Sequence, residues 1–280
     1  MTRSGRIGST LAIALIGILA AAATDIDQFM SRVMQNRRID AERLRDYVFS
    51  EKEELDIKGP RIAAIESFRR EYVWFVRDGY LVRSPVKING VKVSKEEQAA
   101  AEEEWFEREK KRTHGNSLDR EAFFGFKFEP GRYLFAGEQE FEGRKAVVVE
   151  YYPVMSGDED RGRKRDKRDD DLDTLFEKTF LVTMLIDPEE HQILRITFDN
   201  VGLDFIPARW LVRINDIKAS MVMDKPVEGV WLPREISAYG SVSTATMDLS
   251  IQYSRKFFAY ARSDVKVKLR FDTDQVEPAK

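Results

Sequence analysis

The residues able to do chemistry are few and scattered. The 280-residue chain holds two histidines and no cysteine. His114 and His191 stand far apart, and neither belongs to an H-E-x-x-H or comparable metal-binding spacing. Without cysteine there is no thiol nucleophile, no disulfide framework and no lipidated residue behind a leader. No G-x-S-x-G, G-x-G-x-x-G or P-loop pattern occurs. Carboxylates are abundant, but an acid and base paired as in glycosidases would be brought together only by the fold. Asp169, Asp170 and Asp171 lie together, yet they lack EF-hand spacing. The expectation is a protein that is not an enzyme, with no cofactor and no metal.

Apolar side chains on strands are what the chain offers instead. In "TMLIDPEEHQILRITFD", residues 183–199, two apolar runs flank a turn. Met184, Leu185 and Ile186 are apolar on both faces, whereas a strand with one wet face alternates. One face is expected to pack on helices and the other to face the hollow of a curved sheet. Tyr72, Trp74 and Val76 share one face of their strand, and Phe180, Val182, Met184 and Ile186 share one face of theirs. Met221, Met223 and Met247 add flexible side chains suited to varied apolar partners, and Leu249 continues the phase of Met247. Residues of these types ordinarily fill a core. On a curved sheet with little helix to cover it, these eleven become the candidate lining of a ligand cavity.

The positioning elements follow from turn chemistry and periodicity. Residues 25–46 read as a helix, with Ile26, Phe29, Met30 and Val33 at helical spacing. Gly59-Pro60, Asp78-Gly79, Asn89-Gly90 and Glu142-Gly143 punctuate strands that follow one another directly. Residues 94–112 form a charged helix, opened by a Ser94–Glu97 capping box. Its apolar pair, Trp105 and Phe106, is either a docking point or a lid. Asn215-Asp216 marks a turn or bulge, because the apolar phase of 210–214 reverses in 217–223. Residues 156–173 hold eight acids and six bases, so 156–172 reads as a disordered loop. About ten strands and two helices predict a mainly β fold, a curved antiparallel sheet forming an unclosed barrel.

The net charge of -3, with both signs interspersed, excludes the basic footprint of a nucleic-acid binder. Arg3 and Arg6 precede the apolar run of residues 10–19 and the small residues "AAAATD". That is the pattern of a signal peptide over residues 1–23, leaving 24–280 as one domain. An uncleaved inner-membrane anchor is the alternative, although the run is short for a span of roughly 20 residues.

The order of hairpin strands, "NG" before a charged helix, Ile186 to Arg195 and then "GVWLP" at Gly229 to Pro233 resembles the outer-membrane lipoprotein-sorting superfamily of LolA, LolB and RseB. The likeness covers roughly residues 45–260 and is nearest to larger members. It implies an unclosed barrel folded over helices, an apolar interior that takes acyl chains, and a periplasmic address. The chain lacks the lipidated cysteine of LolB, and no specific functional residue carries over. The reading is a periplasmic, monomeric carrier or sensor of an acyl lipid or lipoprotein. The alternative is an envelope module that docks on a protein partner.

N-terminal sequencing of the exported protein should find the mature chain starting near Ala23 or Thr24. Retention of Met1 would instead mark an anchor.

Overall fold

The hairpin turns set the topology. Asp78-Gly79, Asn89-Gly90 and Glu142-Gly143 each place both residues at positive φ, between 50° and 82°. That is the type I′ geometry, whose twist matches paired strands and returns the chain at once to its neighbour. Asp187 shapes another turn: its Oδ1 accepts the N–H groups of Glu189 and Glu190 at 2.9 and 3.0 Å. Chain reversal at every step leaves a meander.

The structure is a computed structural model describing residues 8–60, 62–112, 131–153, 180–200, 212–244 and 246–263. Its strands are β1 (Tyr47–Gly59), β2 (Ile62–Arg77), β3 (Tyr80–Ile88), β4 (Val91–Lys92), β5 (Gly131–Phe141), β6 (Arg144–Pro153), β7 (Phe180–Asp187), β8 (Gln192–Asn200), β9 (Val212–Val227), β10 (Val230–Thr244) and β11 (Asp248–Arg262). They form one antiparallel sheet in the order β4-β3-β2-β1-β11-β10-β9-β8-β7-β6-β5. The sheet is open, with β4 and β5 at its edges, so the expected unclosed, mainly β architecture is what forms. The first and last of the described strands, β1 and β11, pair in the middle.

Helix α1 (Gly8–Arg43) turns a stripe onto the sheet: Met30, Val33, Met34 and Ala41 are buried, with Leu44 following in a single 3-10 turn (Leu44–Asp46). The face of the sheet beneath it is called the inner face here. One apolar cluster joins this stripe to Phe49, Trp74, Leu81, Val149, Met184, Ile196, Met221, Leu232 and Phe257, on nine different strands. Laid flat, nine strands span about 38 Å at 4.8 Å spacing. Among the described side chains the stripe runs from Ile26 to Leu44, about 27 Å. The sheet must therefore curl around α1. Polar contacts pin the helix: Asn36 donates to the Glu190 and His191 carbonyls at 3.1 and 3.2 Å, and Arg43 to the Gly229 carbonyl at 2.8 Å.

Helix α2 (Lys95–Arg112) carries the expected capping box, with Ser94 and Glu97 exchanging hydrogen bonds of 2.8 to 3.2 Å. It lies along the outer edge of β3, which β4 pairs only at Lys87 and Ile88. Trp105 Nε1 donates to the Leu81 carbonyl at 3.1 Å, and Ser84 Oγ is bound by Gln98 and Glu102. Phe106 is buried beneath Arg77 and Tyr80. The two aromatic residues thus dock α2 onto an edge that would otherwise expose backbone donors and acceptors.

At the central seam, one carboxylate ties four strands together. Glu51 of β1 is fully buried and accepts from Trp74 Nε1 of β2, Arg83 of β3 and Arg255 of β11, at 2.5 to 3.0 Å. Burial alone would raise its pKa. The hydrogen bonds and charges of Arg255 and Arg83 outweigh that and hold it below the usual carboxylate range. Truncating the acid would leave two arginines buried without their partner, so Glu51→Ala should cost about 3–5 kcal/mol in urea unfolding. The native contribution of Glu51 is present at neutral pH. It should be lost as the pH falls through the folded-state pKa.

Candidate functional site

The inner face splits into two regions along the strands. Residues directly opposite each other share a face, so the ladders define rows across the sheet. One row runs Met184–Ile196–Met221–Ile236 and lies at the level of α1. Met184, Ile196 and Met221 are between 0 and 8% exposed. The next row runs Phe68–Leu55–Tyr253–Ala238–Ala219–Phe198, and beyond it lies Ile57–Ile251–Gly240–Ile217. All ten residues of these two rows are half-buried. The face stays apolar while its cover thins.

The middle of this second region is built from small residues. Ala219, Ala238 and Gly240 stand between the larger side chains of Phe198, Ile217, Tyr253 and Ile251. A Cβ placed on Gly240 would meet only the Cβ of Ile251, at 3.8 Å, an ordinary contact. The floor is therefore a trough, low in the centre. Its β1–β2 end meets a charged cluster. Tyr253 donates to Glu53 Oε1 at 2.7 Å, and Arg83 lies 3.1 Å from Glu53 Oε2. Arg70 stands on the same face of β2, with its guanidinium 4.0 Å from the Phe68 ring centroid.

The outer face behaves differently. A groove of about 520 Å³, which Ala219, Ala238 and Tyr253 also border, is lined mainly by outer-face residues such as Thr197, Ser220, Ser237, Ser254 and Lys218. Ser220 and Ser237 share a hydrogen bond of 2.9 Å. So the second face of the β7–β8 hairpin is no apolar hollow. Thr183 and Thr197 begin this hydroxyl row there, while Leu185 and Asp187 are buried on the same phase of β7. The excess of apolar residues in the hairpin has a local cause. The register slips between Leu185 and Ile186, which leaves Leu194 as an extra, buried residue between Ile193 and Arg195.

Of the residues singled out from sequence, Trp74, Val182, Met184, Ile186, Met221 and Met223 sit in the packed cluster beneath α1. Tyr72, Val76 and Leu249 are half-buried, and Met247 is 39% exposed in the β10–β11 turn. The side chain of Phe180 lies outside the described residues, as do residues 156–172. Trp105 touches the edge of Trp74 with ring centroids 5.5 Å apart. His191 packs against Phe29, with ring centroids 5.1 Å apart. The trough residues went unremarked as a site, although the phase of Ile217, Ala219, Ile251 and Tyr253 was readable from alternation. What alternation lacks is which rows α1 reaches.

No family model matches the sequence, and no curated protein sequence matches it. Solved structures with a similar course of chain include a domain described as an outer-membrane lipoprotein-sorting protein domain from Vibrio parahaemolyticus. It is 9% identical, with a TM-score of 0.36, and the match covers 86% of this chain and 95% of that one. A DUF1329 family protein from Desulfovibrio piger is 12% identical at a TM-score of 0.32, covering 85% and 94%. The MucA/MucB complex of Pseudomonas aeruginosa gives 11% identity and a TM-score of 0.22, covering 84% and 94%. At such values the likeness says nothing about what this chain binds.

Among the described residues no group of three or more His, Asp or Glu is placed to hold a metal ion, and no helix is long and apolar enough to cross a membrane. One buried acid stands apart. Asp40 of α1 is 2% exposed and borders a void of about 10 Å³ lined also by Arg37, Gln192, Met221 and Met223. Its Oδ2 has no hydrogen-bond partner. Burial pushes its pKa up to about 6, against the opposing effects of Gln192, the Trp231 N–H and Arg43. An acid with a raised folded-state pKa penalises the fold above that pKa. The penalty is relieved as the pH falls from about 6 toward the ordinary aspartate value of 3.8. Asp40→Asn should therefore raise stability at pH 7.5 by about 2 kcal/mol, after allowing for solvent screening, and have little effect near pH 4. Melting curves of both proteins across that range check the sign.

Proposed function

We propose that the chain is a non-catalytic binding protein of the cell envelope that holds an acyl chain in the half-buried trough of its inner face. The observation that carries this reading is the group of small residues, Ala219, Ala238 and Gly240, in the middle of an apolar floor flanked by Phe198, Tyr253 and Ile251. A filled core would place large side chains there, since interiors pack to crystal-like density. The trough crosses the strands, so one elongated apolar ligand lies across several of them. The region beneath α1 then acts as the rigid support of the site. The amino-terminal leader pattern agrees with an envelope address.

A second reading rests on a different place. Strand β5 ends the sheet among the described residues, and its Leu134 and Phe135 are 54 and 57% exposed. A strand edge with large exposed apolar side chains invites a protein segment to add to it. Native mass spectrometry of the protein taken from its own cells separates the two. Co-purifying acyl species support the trough, and a bound polypeptide without lipid supports the edge.

The direct experiment fills the trough. Nile red, an uncharged apolar dye, should bind the mature protein and be displaced by dodecanol. Gly240→Phe and Ala238→Phe should each weaken dye binding about tenfold or more, as the volume of the pocket is lost. Their melting temperatures should change little, because both positions are half-buried. Dye binding that neither substitution disturbs would argue against the trough.

A further inference from the structure

Resting on that trough, we infer that its ligand is an amphiphile with one anionic head, a carboxylate or phosphate, bound at Arg70. Three features point there. The first is charge. The cluster at the β1–β2 end of the inner face gathers three guanidiniums, Arg70, Arg83 and Arg255, around Glu51 and Glu53. An anion arriving beside this cluster meets a guanidinium at the edge that water still reaches.

The second is the division of labour among the arginines. Arg83 and Arg255 are committed to Glu51 at 2.5 to 3.0 Å, and each is only 13% exposed. Arg70 is the outlying member. Its nearest approach to Glu53 is 4.0 Å, beyond hydrogen-bond distance, and its side chain is 41% exposed. It also hydrogen-bonds the Tyr72 hydroxyl and lies over the Phe68 ring, and its remaining outward donors can meet an oxyanion.

The third is position. Arg70 and Phe68 point to the same face of β2, and Phe68 opens the row that continues through Leu55, Tyr253, Ala238 and Ala219 to Phe198. From β2 to β8 that row crosses five interstrand gaps, about 24 Å if flat. An anionic head on Arg70 therefore places an attached chain directly along the apolar floor. Glu66, on the same face of β2, pairs with Ile57 two residues beyond Phe68 and away from Arg70, so it faces the next row rather than the head site. A free anion would gain the arginine but none of the trough, and a neutral chain the trough but not the arginine.

The test compares dodecanoate, dodecyl phosphate, dodecanol and inorganic phosphate as competitors of Nile red on the mature protein. Dodecanoate and dodecyl phosphate should compete about tenfold more tightly than dodecanol, and inorganic phosphate should not compete. Arg70→Gln should remove that advantage while leaving dodecanol unchanged. Arg70→Lys should retain part of it. Arg69→Gln, a neighbouring change on the opposite face of the same strand, should leave every competitor unchanged. Equal competition by dodecanoate and dodecanol in the native protein would overturn the head site and leave the trough standing. So would equal losses in the Arg69 and Arg70 variants. If none of the chain-bearing compounds displaces the dye, both the head site and the trough fall.

Discussion

The carboxylate of Glu51 is the joint on which the sheet depends. In a meander whose first and last described strands meet in the middle, the seam between β1 and β11 has no covalent connection nearby. Among the described residues it is the pairing that must close a loop of about 200 residues. Glu51 lies on that seam and receives donors from β2, β3 and β11 at once. Its charge is costly to bury, and two arginines make that burial workable. Around it, Phe49 stacks on Trp74 and Tyr260, with ring centroids 5.8 and 5.0 Å apart. The amino-terminal hairpin and the carboxy-terminal strand are thereby locked in one register, and every row across the sheet inherits that alignment.

The same alignment produces the candidate site. Once the rows are in register, small residues from separate strands fall side by side. Ala219, Ala238 and Gly240 are unremarkable where they stand in sequence, but together they hollow the centre of an apolar face. The charged cluster then acquires a second role. It holds the seam, and it also closes one end of the trough with an arginine that the seam does not consume.

Helix α1 decides how much of the inner face stays open. Its buried stripe is shorter than the strands it covers, several of which run 13 to 16 residues. It fills the end near the β7–β8 and β9–β10 turns, where Asn36 and Arg43 pin it. The other end of the face keeps its apolar character with less to cover it. Asp40, buried at the interface with an unsatisfied oxygen, makes the helix contact less favourable at neutral pH than at acid pH. The outer face carries a hydroxyl row instead, as a water-facing antiparallel sheet should.

Much of the fold was legible in the sequence because its signals are local. Asp78-Gly79, Asn89-Gly90 and Glu142-Gly143 dictate hairpins by their preference for positive φ, and a chain of hairpins can form only a meander. The Ser94–Glu97 box starts α2 for the same reason, since both partners lie within one turn. The bulge at Asn215 was readable too, as the apolar phase changes across it, and the register between β9 and β10 slips there. The site was not legible in this way. Trp74, Met184 and Met221 have the residue types of a ligand cavity, yet they pack beneath α1. Leu55, Ile57 and Ala238 look ordinary and line the open trough. Alternation says which face a side chain shares but not what lies across from it. That depends on the curl of eleven strands around one helix and on the pairing of β1 with β11, contacts made between residues some 200 positions apart.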